Sequence, residues 1–140
     1  MHQHTAAPAD IAFRDDFAAG RIAPAAFDHQ AHVRLAYTFL VGAEADAAVE
    51  AMRDALHAFL ARHGIPVQKY HATMTRAWVL AVRHFMTKGP SDSADQFLAR
   101  NPQLLDSKIM LTHYSAELLF SPAARAGFVA PDLQAIPEQR

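Results

Sequence analysis

Residues 27–41 read Phe-Asp-His-Gln-Ala-His-Val-Arg-Leu-Ala-Tyr-Thr-Phe-Leu-Val, and after His32 only Arg34 and Thr38 are polar. Those two lie four apart on one strip, so a helix over about 28–41 is apolar on nearly every other side and belongs in an interior. A second helix of this kind is expected from about Tyr70 to Lys88, where Gly89-Pro90 stops it. Its centre, Ala77-Trp78-Val79-Leu80-Ala81-Val82, has no polar residue. Phe39, Leu40, Trp78 and Val82 are the expected core positions of the pair. Between them a helix over 44–63 carries an apolar stripe of Val49, Met52, Leu56, Phe59 and Leu60. Glu50, Arg53, Asp54 and His57 take its other face, and Gly64 suits the position just past its end.

The flanks are shorter. Asp10 is placed to cap a helix through about Ala19, with Phe13 and Phe17 paired four apart and Gly20 ending it. Residues 20–26, with Pro24, read as a loop. Ser91 or Ser93 suits the cap of a helix reaching Arg100, and short helical pieces follow over 102–106, through His113, and over 121–127. The last has serine at the cap, proline at its first position and glycine at its end. From Phe128 onward the chain is extended and proline-punctuated, a tail laid over the rest. No segment alternates like a strand. The expectation is an all-α, compact, single-domain helical bundle over 9–140 with two buried central helices, an irregular C-terminal tail and a disordered N-terminus over 1–8.

Composition narrows the function classes. Thirteen Lys and Arg against fourteen Asp and Glu, without a block of like charge, offer no footprint for nucleic acid and no polybasic patch for a membrane. No apolar run is long enough to span a bilayer, and the N-terminus lacks the basic and apolar regions of a secretory signal, so a soluble cytoplasmic protein is expected. With no cysteine there is no disulfide, thiol nucleophile or thiolate metal site. Nine histidines are many for 140 residues, and they are the feature that needs a chemical reason.

His29 and His32, three apart at the start of a core helix, lie on one face one turn apart. A helix N-terminus disfavours imidazolium, so neutral rings with a lone pair for a proton or a metal are expected there. Histidine pairs at this spacing recur as ligands in helical bundles. His71 begins the other interior helix, and His113 lies in the irregular C-terminal region, which is free to fold across the end of a bundle. His29, His32, His71 and His113 are therefore the candidate metal ligands. The competing assignments are a cap at the start of the first helix, a satisfied buried histidine at His71 and a surface histidine at His113. His84 falls on another face near a helix C-terminus, His57 on a polar face and His63 at a helix end, while His2 and His4 fall on the expected disordered terminus.

Tyr70, beside His71, and Lys108, between Leu104-Leu105 and Ile109-Met110-Leu111, are the candidate catalytic groups, with Thr75 a second candidate for orienting the His71 ring. Arg34, Arg76, Lys108 and Arg125 are cations able to meet an anionic small-molecule substrate. An all-nitrogen ligand set suits zinc, iron, copper or nickel, and three imidazoles with an open position would activate water or dioxygen or polarise a carbonyl. A small metal-dependent enzyme is the leading expectation. Metal-free acid–base catalysis by the same neutral histidines, as in an isomerase or lyase, is the alternative, and a non-catalytic binding module is the third.

Four segments, Phe27-Asp28-His29-Gln30-Ala31-His32, Tyr70-His71-Ala72-Thr73, His113-Tyr114-Ser115 and Ser121-Pro122-Ala123-Ala124-Arg125 leading to Pro131-Asp132-Leu133, resemble those of a small uncharacterised bacterial all-helical family of about this length. That resemblance implies no activity, cofactor or partner. It implies only that the four segments work as one unit.

Overall fold

Capping chemistry sets where the helices begin. In the computed structural model, which describes residues 3–137, Asp28 accepts a hydrogen bond from the Ala31 N–H at 2.9 Å and starts a helix over His29–Leu40. The helix over Ala72–Met86 is capped by an imidazole, as Nδ1 of His71 accepts from the Met74 N–H at 3.1 Å. Between them lies a helix over Ala45–Arg62 that ends in two reversed bonds, Ile65 N–H to the Leu60 carbonyl and Gly64 N–H to the Ala61 carbonyl. That closure needs a left-handed residue after the cap, and Gly64 supplies it at φ +64°.

The first helix covers Pro8–Ala18 and starts earlier than the sequence implies. Asp10 is its third residue and not its cap. One oxygen, Oδ2, accepts from the Ala7 N–H at 2.9 Å and also from the Ala94 N–H at 2.9 Å. Asp10, buried at 2% exposure, thereby joins two helix starts. With these ranges given, the helices are α1 (Pro8–Ala18), α2 (His29–Leu40), α3 (Ala45–Arg62), α4 (Ala72–Met86), α5 (Ala94–Arg100), α6 (Ala116–Leu119) and α7 (Pro122–Ala126). Short 3-10 turns cover Pro24–Ala26, Val67–Lys69, Pro102–Leu105 and Ser107–Thr112. The fold is all-α, with no strand among the described residues and no helix there long and apolar enough to cross a membrane.

Helices α2, α3 and α4 pack on one another and form the centre. Leu40, Trp78 and Val82 are buried as their apolar surroundings require, whereas Phe39 is only partly covered. His32 and His71, in or next to the first turns of α2 and α4, line one cavity together with Leu56 and Leu60 from the second half of α3. At the far end, Tyr37 of α2 bonds Ser91, which follows α4. Thus α2 and α4 run parallel and α3 returns antiparallel to both.

Residues 3–5, in the segment 1–8 expected to be disordered, make long-range hydrogen bonds; residues 1 and 2, with His2, lie outside the described residues. His4 Nδ1 shares a 2.6 Å bond with Ser91 Oγ, and its Nε2–H donates to the Met86 carbonyl at 2.6 Å. Its ring meets Tyr37 and Phe97 edge-on. These long-range partners overcome the weak local preference of a small, polar segment. At the other terminus, His113, Tyr114 and Ser115 hold the tail through Gln134, Val129 and Asp132.

Candidate functional site

The cavity at the N-terminal ends of α2 and α4 has a volume of about 230 Å³. Phe27, Leu56, Phe59 and Leu60 form its apolar walls, and His32, Lys69, Tyr70, His71 and Thr75 bring the polar atoms. Each element reaches it for a local reason. Phe27 precedes the Asp28 cap, the second half of α3 turns its apolar stripe inward, and the Val67–Lys69 turn leads Tyr70 into the start of α4.

His32 is the chemically open group. No hydrogen bond to either of its ring nitrogens is formed among the described residues, although the Phe27 ring lies 5.9 Å away in edge contact. His32 is partly exposed and lines the cavity. Burial, and secondarily the neighbouring His29, holds this imidazole down at about 4, so it is neutral near pH 7 with a lone pair available.

His71 lines the same cavity but is committed elsewhere. Its Nδ1 caps α4, so the proton sits on Nε2, which donates to the Leu119 carbonyl at 2.7 Å. Burial lowers its basicity; the bond to Leu119 works against that, and the Arg125 charge adds to the lowering. Both nitrogens are used in folding, which rules the ring out as a metal ligand in this conformation. Thr75 does not orient it: the Thr75 hydroxyl donates to the His71 backbone carbonyl at 2.9 Å.

His29 and His113 do not reach the cavity. His29 packs edge-on against Trp78 at 4.4 Å, and its Nε2–H donates to the Leu104 carbonyl at 2.9 Å. Nδ1–H of His113 donates to the Gln134 carbonyl at 2.8 Å and fastens the tail. A bond from one nitrogen to a carbonyl leaves the other free, as in many ligating histidines. Here the rings are dispersed: among the described residues no group of three or more His, Asp or Glu side chains is gathered to hold a metal. The expected four-histidine centre is not assembled, because His29 and His32 point to different neighbours and His113 serves the tail.

The candidate catalytic groups also divide. Tyr70 lines the cavity and receives the edge of the His57 ring at 4.4 Å. His57, expected on a polar face, thus packs against Tyr70. Lys108 is exposed on the 3-10 turn over Ser107–Thr112, away from the cavity lining. Lys69 supplies the cavity's cation instead. The pattern of apolar positions gave no sign of it, since it stands in a turn, though it directly precedes the Tyr70-His71 pair. Arg34 pairs with Asp95, Arg76 pairs with Asp46 and lies over the Phe128 ring, and Arg125 donates to the Gln68 carbonyl. No protein-family model, curated protein or solved structure matches this chain.

Proposed function

We propose that the protein binds a small molecule in the cavity at the N-terminal ends of α2 and α4 and moves a proton on it through His32, without needing a metal. The observation that carries this reading is the imidazole of His32, with neither ring nitrogen bonded among the described residues, lining a cavity of about 230 Å³ beside Tyr70 and Lys69. A neutral imidazole has one donor and one acceptor nitrogen, and at His32 neither has a protein partner among the described residues. A ligand placed there would supply one. A negative group on the ligand would also raise the imidazole toward the range where general acid–base catalysis is efficient. The Tyr70 hydroxyl and the Lys69 ammonium would stabilise charge that develops on an oxygen as the proton leaves. An isomerase or a lyase acting beside a carbonyl fits this set. This reading gives up the four-histidine metal centre, since no three such ligands are gathered among the described residues.

A binding role without turnover is favoured by one observation. An imidazole held at about 4 is a weak base at neutral pH in the empty site. The two readings separate in a proton-exchange experiment. Metal-stripped protein in deuterated water, given a panel of small ketones, 2-oxo acids and 3-hydroxy acids, should exchange or eliminate a carbon-bound hydrogen of at least one compound, followed by proton NMR. The activity should vanish in His32→Gln and persist in His84→Ala, whose side chain is not part of the cavity lining. Activity that needs added zinc or iron would overturn the metal-free reading. Binding without exchange across the panel would establish the second.

A further inference from the structure

The cavity lining is lopsided in charge. It contains Lys69 and two histidines but no carboxylate. Lys69 forms no ion pair among the described residues, while Arg34 and Arg76 are each neutralised by an aspartate. The ends of α2 and α4 that meet here are both N-terminal; that of α2 is already met by the Asp28 carboxylate, while that of α4 is capped only by the neutral His71 ring and still favours an anion within its first turn. The rest of the lining includes Phe27, Phe59 and Leu56, an apolar and partly aromatic surface.

Size restricts the occupant further. An apolar cavity of about 150 Å³ holds a benzene molecule. At about 230 Å³ this one has room for a single ring or branched chain with one small polar group, and not for a nucleotide. No arginine lines it, so the forked donor suited to phosphate is missing, and one ammonium matches one carboxylate. We propose that the ligand is a small organic monocarboxylate, its apolar body against Phe27 and Phe59 and its carboxylate met by Lys69, Tyr70 and a ring nitrogen of His32. This assignment rests on the reading of the cavity as a small-molecule site. A carboxylate beside His32 favours the imidazolium, so the site takes up a proton as the acid binds.

Titration calorimetry of the full chain with benzoate, benzamide and benzylamine tests the charge separately from the cavity. These probes share a ring and differ in charge. Benzoate should bind about tenfold or more tightly than benzamide, the difference expected when a charge-assisted bond replaces a neutral one, and benzylamine should not bind. In Lys69→Met, an exposed position where folding is checked by circular dichroism, benzoate should fall to the level of benzamide while benzamide is unchanged. Proton uptake with benzoate, read from the dependence of the heat on buffer, should disappear in His32→Gln. Equal binding of benzamide and benzoate by the unaltered chain, or a Lys69→Met variant that still prefers benzoate, would overturn the carboxylate assignment and leave the cavity reading intact. No binding of any probe at about 10 mM, with the His32 ring signals unmoved in NMR, would overturn both.

Discussion

His32 and His71 line one cavity, yet they stand in opposite relations to the fold. His71 spends both nitrogens on structure, while His32 has none engaged. That contrast has a consequence in pH. His32 is held at about 4 against an ordinary 6.5, so between those values the unfolded chain binds a proton that the native chain refuses. Stability is therefore complete above about pH 6.5 and is lost as the pH falls toward 4. The loss is on the order of 3 kcal/mol for a displacement of this size. His71, lowered in the same direction by burial, adds to the loss as the pH falls below its ordinary value. Urea unfolding measured from pH 7 to 4 should show this acid limb, and His32→Gln should flatten it; an unchanged limb would place the His32 ring in water. Trp78, exposed by only 3% and covered by the His29 ring, makes a second test. Trp78→Ala should cost roughly 3–5 kcal/mol in the same assay. Burial of Trp78 was legible from its all-apolar neighbours. The separate fates of His29 and His32 were not, because residues three apart differ by about 60° around a helix. That angle is enough to aim one ring at Leu104 and the other into a cavity.

Among the elements, the three long helices were readable and the connections were not. A stripe of apolar residues with Gly64 behind it locates the end of α3, because the closing bonds need a left-handed backbone there. The 3-10 turn over Val67–Lys69 leaves no such pattern, which is why Lys69 was invisible as a cavity residue while Tyr70 and His71 were not. Parallel packing of α2 and α4 was also open, since a single intervening helix permits it without requiring it. The N-terminal cap of α4 is the joint that holds the arrangement at the cavity, as its imidazole ties the helix to α6 through the Leu119 carbonyl. Removing the ring in His71→Ala unbinds the Met74 N–H and leaves that carbonyl without its donor. A loss of about 2–4 kcal/mol is expected from the two effects together. His71→Asn keeps an acceptor for the Met74 N–H but is too short for Leu119. It should recover roughly 1 kcal/mol of the loss. Equal midpoints of the two variants in chemical denaturation would show that the cap bond contributes nothing.

At the scale of the whole molecule, the bundle is closed by its two chain ends in different places. The N-terminal segment is clasped at the far end of α2 and α4, where His4, Tyr37 and Ser91 form a chain of hydrogen bonds and Tyr37 also donates to the Thr5 carbonyl. The partners of His4 lie 87 and 82 residues away in sequence, beyond the reach of any local pattern, so the segment reads as disordered until the fold is formed. The C-terminal tail instead crosses the cavity end: the Thr73 hydroxyl in the first turn of α4 donates to the Gly127 carbonyl and accepts from the Val129 N–H. Two truncations should therefore differ in kind. A chain beginning at Ala6 loses the His4 clasp and leaves Tyr37 and Ser91 short of partners, at a cost of about 1–3 kcal/mol. Its affinity for benzoate should be unchanged, because nothing lining the cavity is touched. A chain ending at Ala126 loses the bonds to Thr73, His113, Tyr114 and Ser115 together. It should lose stability and benzoate affinity in parallel, since the start of α4 carries both the cap and the cavity wall. Calorimetric titration of both truncated chains, with their melting curves beside it, decides the matter. Benzoate affinity that falls with the N-terminal cut, or survives the C-terminal one, would mean that the tail is not what steadies the cavity.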